Sequence, residues 1–270
     1  MTNSVLMSLS AIAALVPAAL TRAGRKPQDA PGGLAYWMLI AVAVAGPVAW
    51  VVVQQSQEWR TGVGAALWVA VAVTMVLFAV LAAASPSMRR LTPVLLAYLI
   101  VLGMLATIWQ HAPERKLTGL APAGWLQVHI LVSTVAYGLL TLAAVAGAAV
   151  VLQERALKHK RPTSFTRQLP AVAEGEALQA RLLVASAVVL GVALATGAAL
   201  AWREMGSLLP LDHKTVLSFA TFGTIVALLW MHHQVGLSGR RAARYVLVAY
   251  LLLTLAYPGV KFVTDVLVGI

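Results

Sequence analysis

Histidine is the residue of this sequence best suited to binding a metal or a prosthetic group. The chain contains six histidines and no cysteine. The absence of cysteine excludes disulfides, thiolate metal sites, thiol redox chemistry and covalent attachment of a group through a thioether bond. Any metal or prosthetic group would therefore be held by histidine, methionine or oxygen ligands.

One histidine begins a polar stripe on an otherwise apolar segment. His129, Ser133 and Tyr137 follow one another at intervals of four residues, which places them on one face of a helix. Two interpretations stay open. Either the stripe packs against neighbouring helices, with His129 at the level of the lipid headgroups, or His129 is a ligand.

A second candidate region lies further along the chain. Asp212 can cap a helix by accepting hydrogen bonds from backbone N–H groups of its first turn, or it can form a site together with His213 and Lys214. At the far end of the same segment, His232 and His233 are adjacent and hence about 100° apart around a helix. At most one of these two imidazoles can face an interior site.

A third polar stripe follows near the C-terminus, at steps of four, three, four and four residues. Its members are Tyr250, Thr254, Tyr257, Lys261 and Asp265. They share one helix face, which we expect to point into a bundle of helices. Pro258 is expected to kink this helix, and Lys261 and Asp265 are spaced to pair across one turn.

These residues are embedded in a chain that is too apolar for a soluble protein. Of its 270 residues, 60% are hydrophobic and 11% charged, with a mean hydropathy of +0.84, whereas soluble domains carry about 25% charged residues. Apolar runs of about 20 residues recur throughout, each long enough to cross a bilayer as a helix. We therefore predict an all-α fold, a polytopic transmembrane bundle of eight helices forming a single domain over residues 1–270. The predicted spans are Asn3–Leu20, Leu34–Val53, Gly64–Ala84, Leu91–Trp109, Trp125–Gln153, Ala180–Trp202, Lys214–His232 and Ala243–Phe262.

The distribution of positive charge predicts the orientation of the bundle. The net charge of +11 would suggest nucleic acid in a soluble protein, but basic residues of membrane proteins gather in cytoplasmic loops. The loops after the first, third, fifth and seventh spans hold 14 of the 20 lysines and arginines. Both termini are therefore predicted to be external, and the connection Glu154–Arg181 is predicted to be a cytoplasmic, amphipathic surface segment. The expected partner is the lipid bilayer, with no nucleic acid.

This orientation divides the histidines between the two sides of the membrane. His111, His129 and His213 fall outside, while His159, His232 and His233 fall inside. A bilayer core of about 30 Å separates the two groups, so a shared metal must use residues from one side. The pair that fits best is His129 with His213. The sequence contains no HExxH motif, carboxylate cluster or Ser-His-Asp order, which gives a hydrolase little support.

At these residues the sequence resembles a known family, over most of residues 125–262. The run from His129 through Ser133 to Tyr137, the run Lys214-Thr-Val-Leu-Ser218, and Trp230-Met-His232 followed by Gly236-Leu-Ser-Gly-Arg-Arg241 carry the resemblance. Together they resemble the CcsA/CcmC-type cytochrome c assembly family, and in particular its YpjD-like branch of bacterial inner-membrane proteins.

The resemblance implies an inner-membrane protein of cytochrome c biogenesis that handles haem at its periplasmic face and is not an enzyme. The implied cofactor is a non-covalent, b-type haem with His129, His213 and His232 as candidate axial ligands. Ser133 and Tyr137 would then support His129. Asp212 and Lys214 would organise the external end of the seventh span, and the implied partners are apocytochrome c and another assembly factor.

Two departures from the family pattern bear on this function. Haem-delivering members carry a tryptophan-rich segment before the seventh span, where this chain has Met205, Leu209, Leu211 and Leu217. The family's second external histidine, near the C-terminus, is also absent here, and His213 is a candidate substitute by position.

Two other functions are compatible with the sequence. The replaced aromatics suit a membrane scaffold or accessory subunit that has kept the fold without haem. Polar stripes in three spans could also line the path of a small-solute transporter. The sequence, however, shows no pair of broken helices in matching halves, which many transporters use.

Overall fold

The computed structural model describes residues 2–20, 32–56, 62–110, 112, 123–206, 212–236, 238–263 and 266. Of the residues in these ranges, 89% are helical, and none is in a strand. The helices are α1 (Thr2–Leu20), α2 (Leu34–Gln55), α3 (Val63–Ala84), α4 (Pro86–Arg89), α5 (Thr92–Ile108), α6 (Ala123–Lys158), α7 (Val172–Met205), α8 (His213–Val235), α9 (Gly239–Thr254) and α10 (Val260–Phe262). A 3-10 turn, Thr166–Gln168, lies between α6 and α7, and a π turn, Leu255–Gly259, joins α9 to α10.

Within the part of the chain that the structure describes, six helical segments are long and apolar enough to cross a membrane: α2, α3, α6, α7, α8 and the continuous segment from α9 to α10. In α1 and α5 the apolar helices are shorter, at Ser4–Leu20 and Thr92–Ile108. All eight predicted spans thus coincide with apolar helices, and the chain is a multi-pass membrane protein that requires a lipid bilayer. The count of eight crossings and the external position of both termini stay predictions.

The long helices form two groups of four. In the first group, α1 packs on α2, α2 on α3, α3 on α5, and α5 back on α1. In the second group, α6 packs on α7, α7 on α8, α8 on α9, and α9 back on α6. The groups meet mainly where α3 packs along α6, and Gly138 of α6 allows close approach there, because a Cβ at this position would lie 2.8 Å from Leu77.

Buried tyrosines also join the two groups. The hydroxyl of Tyr250 on α9 hydrogen-bonds to that of Tyr98 on α5, and it lies 2.9 Å from the hydroxyl of Tyr137 on α6. Thr254 lies 3.4 Å from the same Tyr137 hydroxyl. Tyr250 and Thr254 therefore face the bundle interior, as the third polar stripe predicted, because hydroxyls in an apolar environment are stable only when they are hydrogen-bonded.

The structure corrects the predicted connection between the fifth and sixth spans. The segment Glu154–Arg181 is not a separate surface segment, because α6 continues to Lys158 and α7 already begins at Val172. The remaining residues, 159–171, form a short connection that contains the 3-10 turn. Both helices thus extend beyond their apolar stretches. The extension of α7 includes Gly175, which does not interrupt the helix.

The C-terminal helix is interrupted where the sequence predicted. Pro258 lies within the π turn, and such turns commonly accommodate the missing proline N–H in a helix. Asp265, the predicted partner of Lys261, lies outside the described residues.

Candidate functional site

His129 lies in the second turn of α6, half-buried against α7. Its Nδ1 is 3.0 Å from Oγ1 of Thr196. The imidazole covers the backbone of Gly197, where a Cβ would lie 3.0 Å from Cε1 of the ring. The absence of a side chain at position 197 therefore allows this edge of the ring to approach α7 closely.

The hydrogen bonds of Thr196 favour one tautomer of His129. The hydroxyl of Thr196 donates its proton to the carbonyl of Ala193, at 3.0 Å. Because a hydroxyl has one proton to donate, this bond leaves it as the acceptor for Nδ1–H of the imidazole. Nε2 then carries the lone pair and makes no hydrogen bond to any described residue. A neutral imidazole held through Nδ1–H is the form in which histidine binds a metal.

The start of α8 lies near this imidazole. The charge of Lys214 is close enough to act on His129. Oδ1 of Asp212 accepts a hydrogen bond of 2.7 Å from the backbone N–H of Thr215, which confirms the predicted N-cap. His213 is exposed and begins the helix. The beginning of α6, the end of α7 and the beginning of α8 therefore share one end of the bundle.

The N-cap gives a testable dependence on pH. Burial alone would raise the pKa of Asp212, but hydrogen bonds from Thr215 and the charges of Lys214 and His213 hold that pKa below its ordinary value of 3.8. A lowered pKa means that the carboxylate stabilises the folded state above its unfolded pKa. That stabilisation is lost as pH falls through the lowered value.

We expect Asp212→Ala to lower the free energy of unfolding by about 1 kcal/mol at pH 7, the usual cost of losing an N-cap. Asp212→Asn is the matched control, because asparagine caps nearly as well without a charge. Thermal unfolding of the purified protein, followed by circular dichroism between pH 3 and pH 7, measures both. The wild-type midpoint should approach that of the asparagine variant towards the acidic end, because a protonated carboxyl can still accept the capping hydrogen bond but carries no charge. A constant difference across this range would contradict the charge contribution.

The polar stripe of α6 is divided between two environments. Tyr137 is 4% exposed and bonds to the tyrosine cluster between the two helix groups, away from His129. Ser133 is half-buried and has no hydrogen-bond partner within the described ranges. Within the described ranges, neither Ser133 nor Tyr137 therefore hydrogen-bonds to the imidazole. Thr196, which does hold it, was missed, because a threonine in an apolar span gives no sequence signal of its own.

His232 lies at the opposite end of α8. The 19 residues that separate it from His213 correspond to about 28 Å along a helix. Its side chain lines a small pocket with Glu176, Gln179 and Ser238. His129 and His232 therefore cannot bind the same iron, in agreement with the separation predicted from the charge distribution.

Part of the stretch that corresponds to the family's tryptophan-rich segment lies outside the described residues, namely 207–211. Trp202, at the end of α7, is described and is 56% exposed. Trp125, at the beginning of α6, is 40% exposed. Both tryptophans therefore offer aromatic surface at the same end of the bundle as His129.

Comparison with known proteins places the chain among bacterial membrane proteins. It is 51% identical over 271 residues to the uncharacterised 28.8 kDa protein in the nifR3-like 5′ region of Azospirillum brasilense, and the match covers 100% of both chains. It is 28% identical over 177 residues to the inner membrane protein YpjD of Escherichia coli K12, which covers 66% of this chain and 65% of YpjD. No solved structure matches.

A family model described as cytochrome c assembly protein matches residues 33–268. This range includes α2 to α10 and every residue of the site around His129. The chain therefore belongs to the cytochrome c assembly protein family, which indicates a role in cytochrome c biogenesis.

Proposed function

We propose that this protein resides in the bacterial inner membrane and holds a non-covalent, b-type haem at the periplasmic end of its bundle during cytochrome c assembly. The observation that carries the proposal is the imidazole of His129, whose Nδ1 is fixed by Thr196 at 3.0 Å and whose Nε2 is left to bind iron. The excess of basic residues at the other end of the bundle supports the periplasmic assignment.

The residues around His129 fit a haem by the chemistry of their side chains. A neutral histidine is a common axial ligand of haem iron. Lys214 and the N-terminus of α8 supply positive charge for the carboxylates of the porphyrin. The exposed rings of Trp125 and Trp202 would provide part of the aromatic surface that the substitutions at positions 205, 209, 211 and 217 remove.

In this role the chain positions haem and catalyses no reaction of its own. His213, at the beginning of α8, is the proposed second axial ligand, and His232 is a candidate ligand at the opposite end. Apocytochrome c and another assembly factor are the proposed partners at the face that carries His129. Membership of the cytochrome c assembly family supports both partners.

A scaffold that has lost haem handling is the second candidate function. It is favoured by Met205, Leu209, Leu211 and Leu217, which stand where haem-delivering members carry aromatic residues. Under this alternative, the purified protein carries no haem, and c-type cytochromes stay at normal levels when the gene is deleted.

Two glycines of α7 give a matched test of haem binding. A Cβ at Gly197 would lie 3.0 Å from the His129 ring, whereas a Cβ at Gly191 would meet Phe222 at an ordinary 3.5 Å. Gly197→Ala should displace the imidazole and weaken haem binding by about 10- to 100-fold, the usual effect of disturbing what orients a ligand. Gly191→Ala should leave binding unchanged. The measurement is haem per protein, from oxidised and reduced visible spectra after expression in a haem-replete host.

The absence of any Soret absorption in wild-type protein from such a host would overturn the proposed haem binding and favour the scaffold. Equal haem occupancy in the two alanine variants would instead overturn the assignment of the site to the interface of α6 and α7.

A further inference from the structure

The turn between α6 and α7 carries a dense cluster of exposed positive charge. Residues 155–167, here called the basic turn, contain five lysines and arginines, and no aspartate or glutamate lies between Glu154 and Glu174. All five basic side chains are exposed, and none makes an ion pair or a hydrogen bond to a residue that the structure describes: Arg155, Lys158, Lys160, Arg161 and Arg167. Their charge is therefore available to a partner.

Two apolar side chains are exposed on the same turn. Leu157 is 63% exposed, and Phe165 is 41% exposed. The other side of the turn packs on the bundle, where Leu169 belongs to the hydrophobic core. The backbone N–H of Thr163 donates to Oγ1 of Thr166 at 2.9 Å, and the N–H of Thr166 donates to Oγ1 of Thr163 at 3.2 Å. The basic turn is therefore a defined surface that combines positive charge with apolar groups.

Lys160 adopts a backbone conformation that is unfavourable for lysine. Its φ is 51°, and it is the only non-glycine residue with a positive φ in the part of the chain that the structure describes. The N–H of Lys160 donates to the carbonyl of Leu157, and the N–H of Arg161 donates to the carbonyl of Ala156, both at 3.1 Å. Glycine or asparagine usually occupies this position after a helix. A lysine there costs stability, which indicates that its charge has a use.

The basic turn lies at the level that lipid headgroups occupy. Arg155 follows Trp125 by 30 residues within the continuous helix α6, a distance of about 45 Å along the helix. A bilayer measures about 40–45 Å when both headgroup regions are included. Tryptophan is enriched at the headgroup level, so that Trp125 at one surface places the basic turn at the other.

We propose that the basic turn binds anionic phospholipids, of which phosphatidylglycerol is an example, in the leaflet at this end of the bundle. Lysine and arginine at a membrane surface attract negatively charged headgroups, and Leu157 and Phe165 offer apolar contact at the boundary between headgroups and acyl chains. An acidic soluble protein also matches the charge, but the position of the turn at the headgroup level favours the lipid. The proposal is independent of haem binding at the other end.

The test uses the full-length protein in detergent and measures by native mass spectrometry which phospholipids it retains. Phosphatidylglycerol should be retained at least about tenfold more than phosphatidylethanolamine with the same acyl chains, because only phosphatidylglycerol carries a net negative charge. This preference should decrease as the ionic strength rises. Equal retention of the two lipids, or a preference that salt leaves unchanged, would overturn the proposal.

Two soluble probes separate the lipid from other sources of negative charge. Glycerol 3-phosphate at millimolar concentration should not displace phosphatidylglycerol, because it lacks the acyl chains that Leu157 and Phe165 would contact. Its complete displacement of the lipid would overturn the lipid as the source of the phosphate. A polyglutamate peptide should likewise leave the lipid bound. Displacement of the lipid by micromolar peptide would assign the basic turn to an acidic protein instead.

Lys160→Gly separates binding from folding, because its two expected effects have opposite signs. Loss of one basic side chain should reduce retention of phosphatidylglycerol by about fivefold, whereas glycine suits the left-handed backbone and should raise the thermal midpoint by about 2 °C. Lys158→Gln leaves the backbone of the turn unchanged and should reduce retention to a similar extent.

Arg203→Gln is the matched control, since Arg203 is an exposed arginine in the last turn of α7, at the other end of the bundle. It removes one positive charge without touching the basic turn and should leave retention unchanged. Unchanged retention in both variants of the turn, or an equal loss in the control, would overturn the site.

Discussion

Replacing His129 by alanine is expected to reduce the haem affinity of the purified protein by at least about 100-fold and to remove its Soret absorption. Disturbing the residues that orient a ligand already costs 10- to 100-fold, and this substitution removes the ligand itself. Thr196→Val keeps the shape of the side chain but cannot hold Nδ1 of the imidazole. It should therefore cause a partial loss. The measurement is the reduced and oxidised visible spectrum together with haem per protein.

The matched control is His233→Ala, because His233 is exposed at the opposite end of α8. Its spectrum and its circular dichroism should equal those of wild type. A His129→Ala protein that is folded and still carries a full complement of haem would falsify the proposed ligand. His213→Ala tests the second ligand separately: a bis-histidine spectrum that survives this change would show that His213 is not the partner of His129.

Replacing Gly64 by alanine is expected to destabilise the fold more than replacing Gly191 or Gly197 by alanine. Gly64 lies in the first turn of α3, and a Cβ there would lie 2.6 Å from Cα of Gln110, 2.8 Å from its backbone nitrogen and 2.9 Å from the carbonyl of Ala106. All three are backbone atoms at the end of α5, so no side-chain rotation can relieve the overlap. The helices must separate, and we expect a loss of about 3 kcal/mol, the upper end of the usual cost of overpacking.

The control for this change is Gly223→Ala on α8, where a Cβ would meet nothing within 4 Å. Alanine favours helix over glycine by about 1 kcal/mol, so this variant should be as stable as wild type or slightly more so. Thermal midpoints in detergent, followed by size-exclusion chromatography after heating, compare the two variants. Equal midpoints would contradict the close packing of α3 on α5.

Most helix boundaries could be predicted from hydropathy because each span must satisfy its own backbone hydrogen bonds in lipid. The predicted fourth span, Leu91–Trp109, differs by one residue at each end from α5. The largest difference is at α7, which begins at Val172 rather than at Ala180. Its first two turns contain Glu174 and Glu176, and hydropathy does not recognise a helix that continues into water.

Only part of the site could be predicted from the sequence, because the partners of a side chain lie on other helices. His129 was identified because a histidine in an apolar segment is unusual. Its partners Thr196 and Gly197 come from α7, more than 60 residues away, and small residues are ordinary in transmembrane helices. Likewise, Tyr98 gave no signal as a partner of Tyr250, because a tyrosine near the middle of one span does not indicate which other helix it meets.

The amino-acid sequence is enough to show that this protein is helical, lies in a membrane, has no thiol chemistry and has histidines at both ends of its bundle. These properties follow from composition and from the spacing of residues within single helices. Which helices are neighbours follows from the folded bundle alone. The bundle places Thr196 against His129 and directs Tyr137 into a tyrosine cluster instead. Packing between helices depends on small residues and local shape, which a pattern along one helix does not contain.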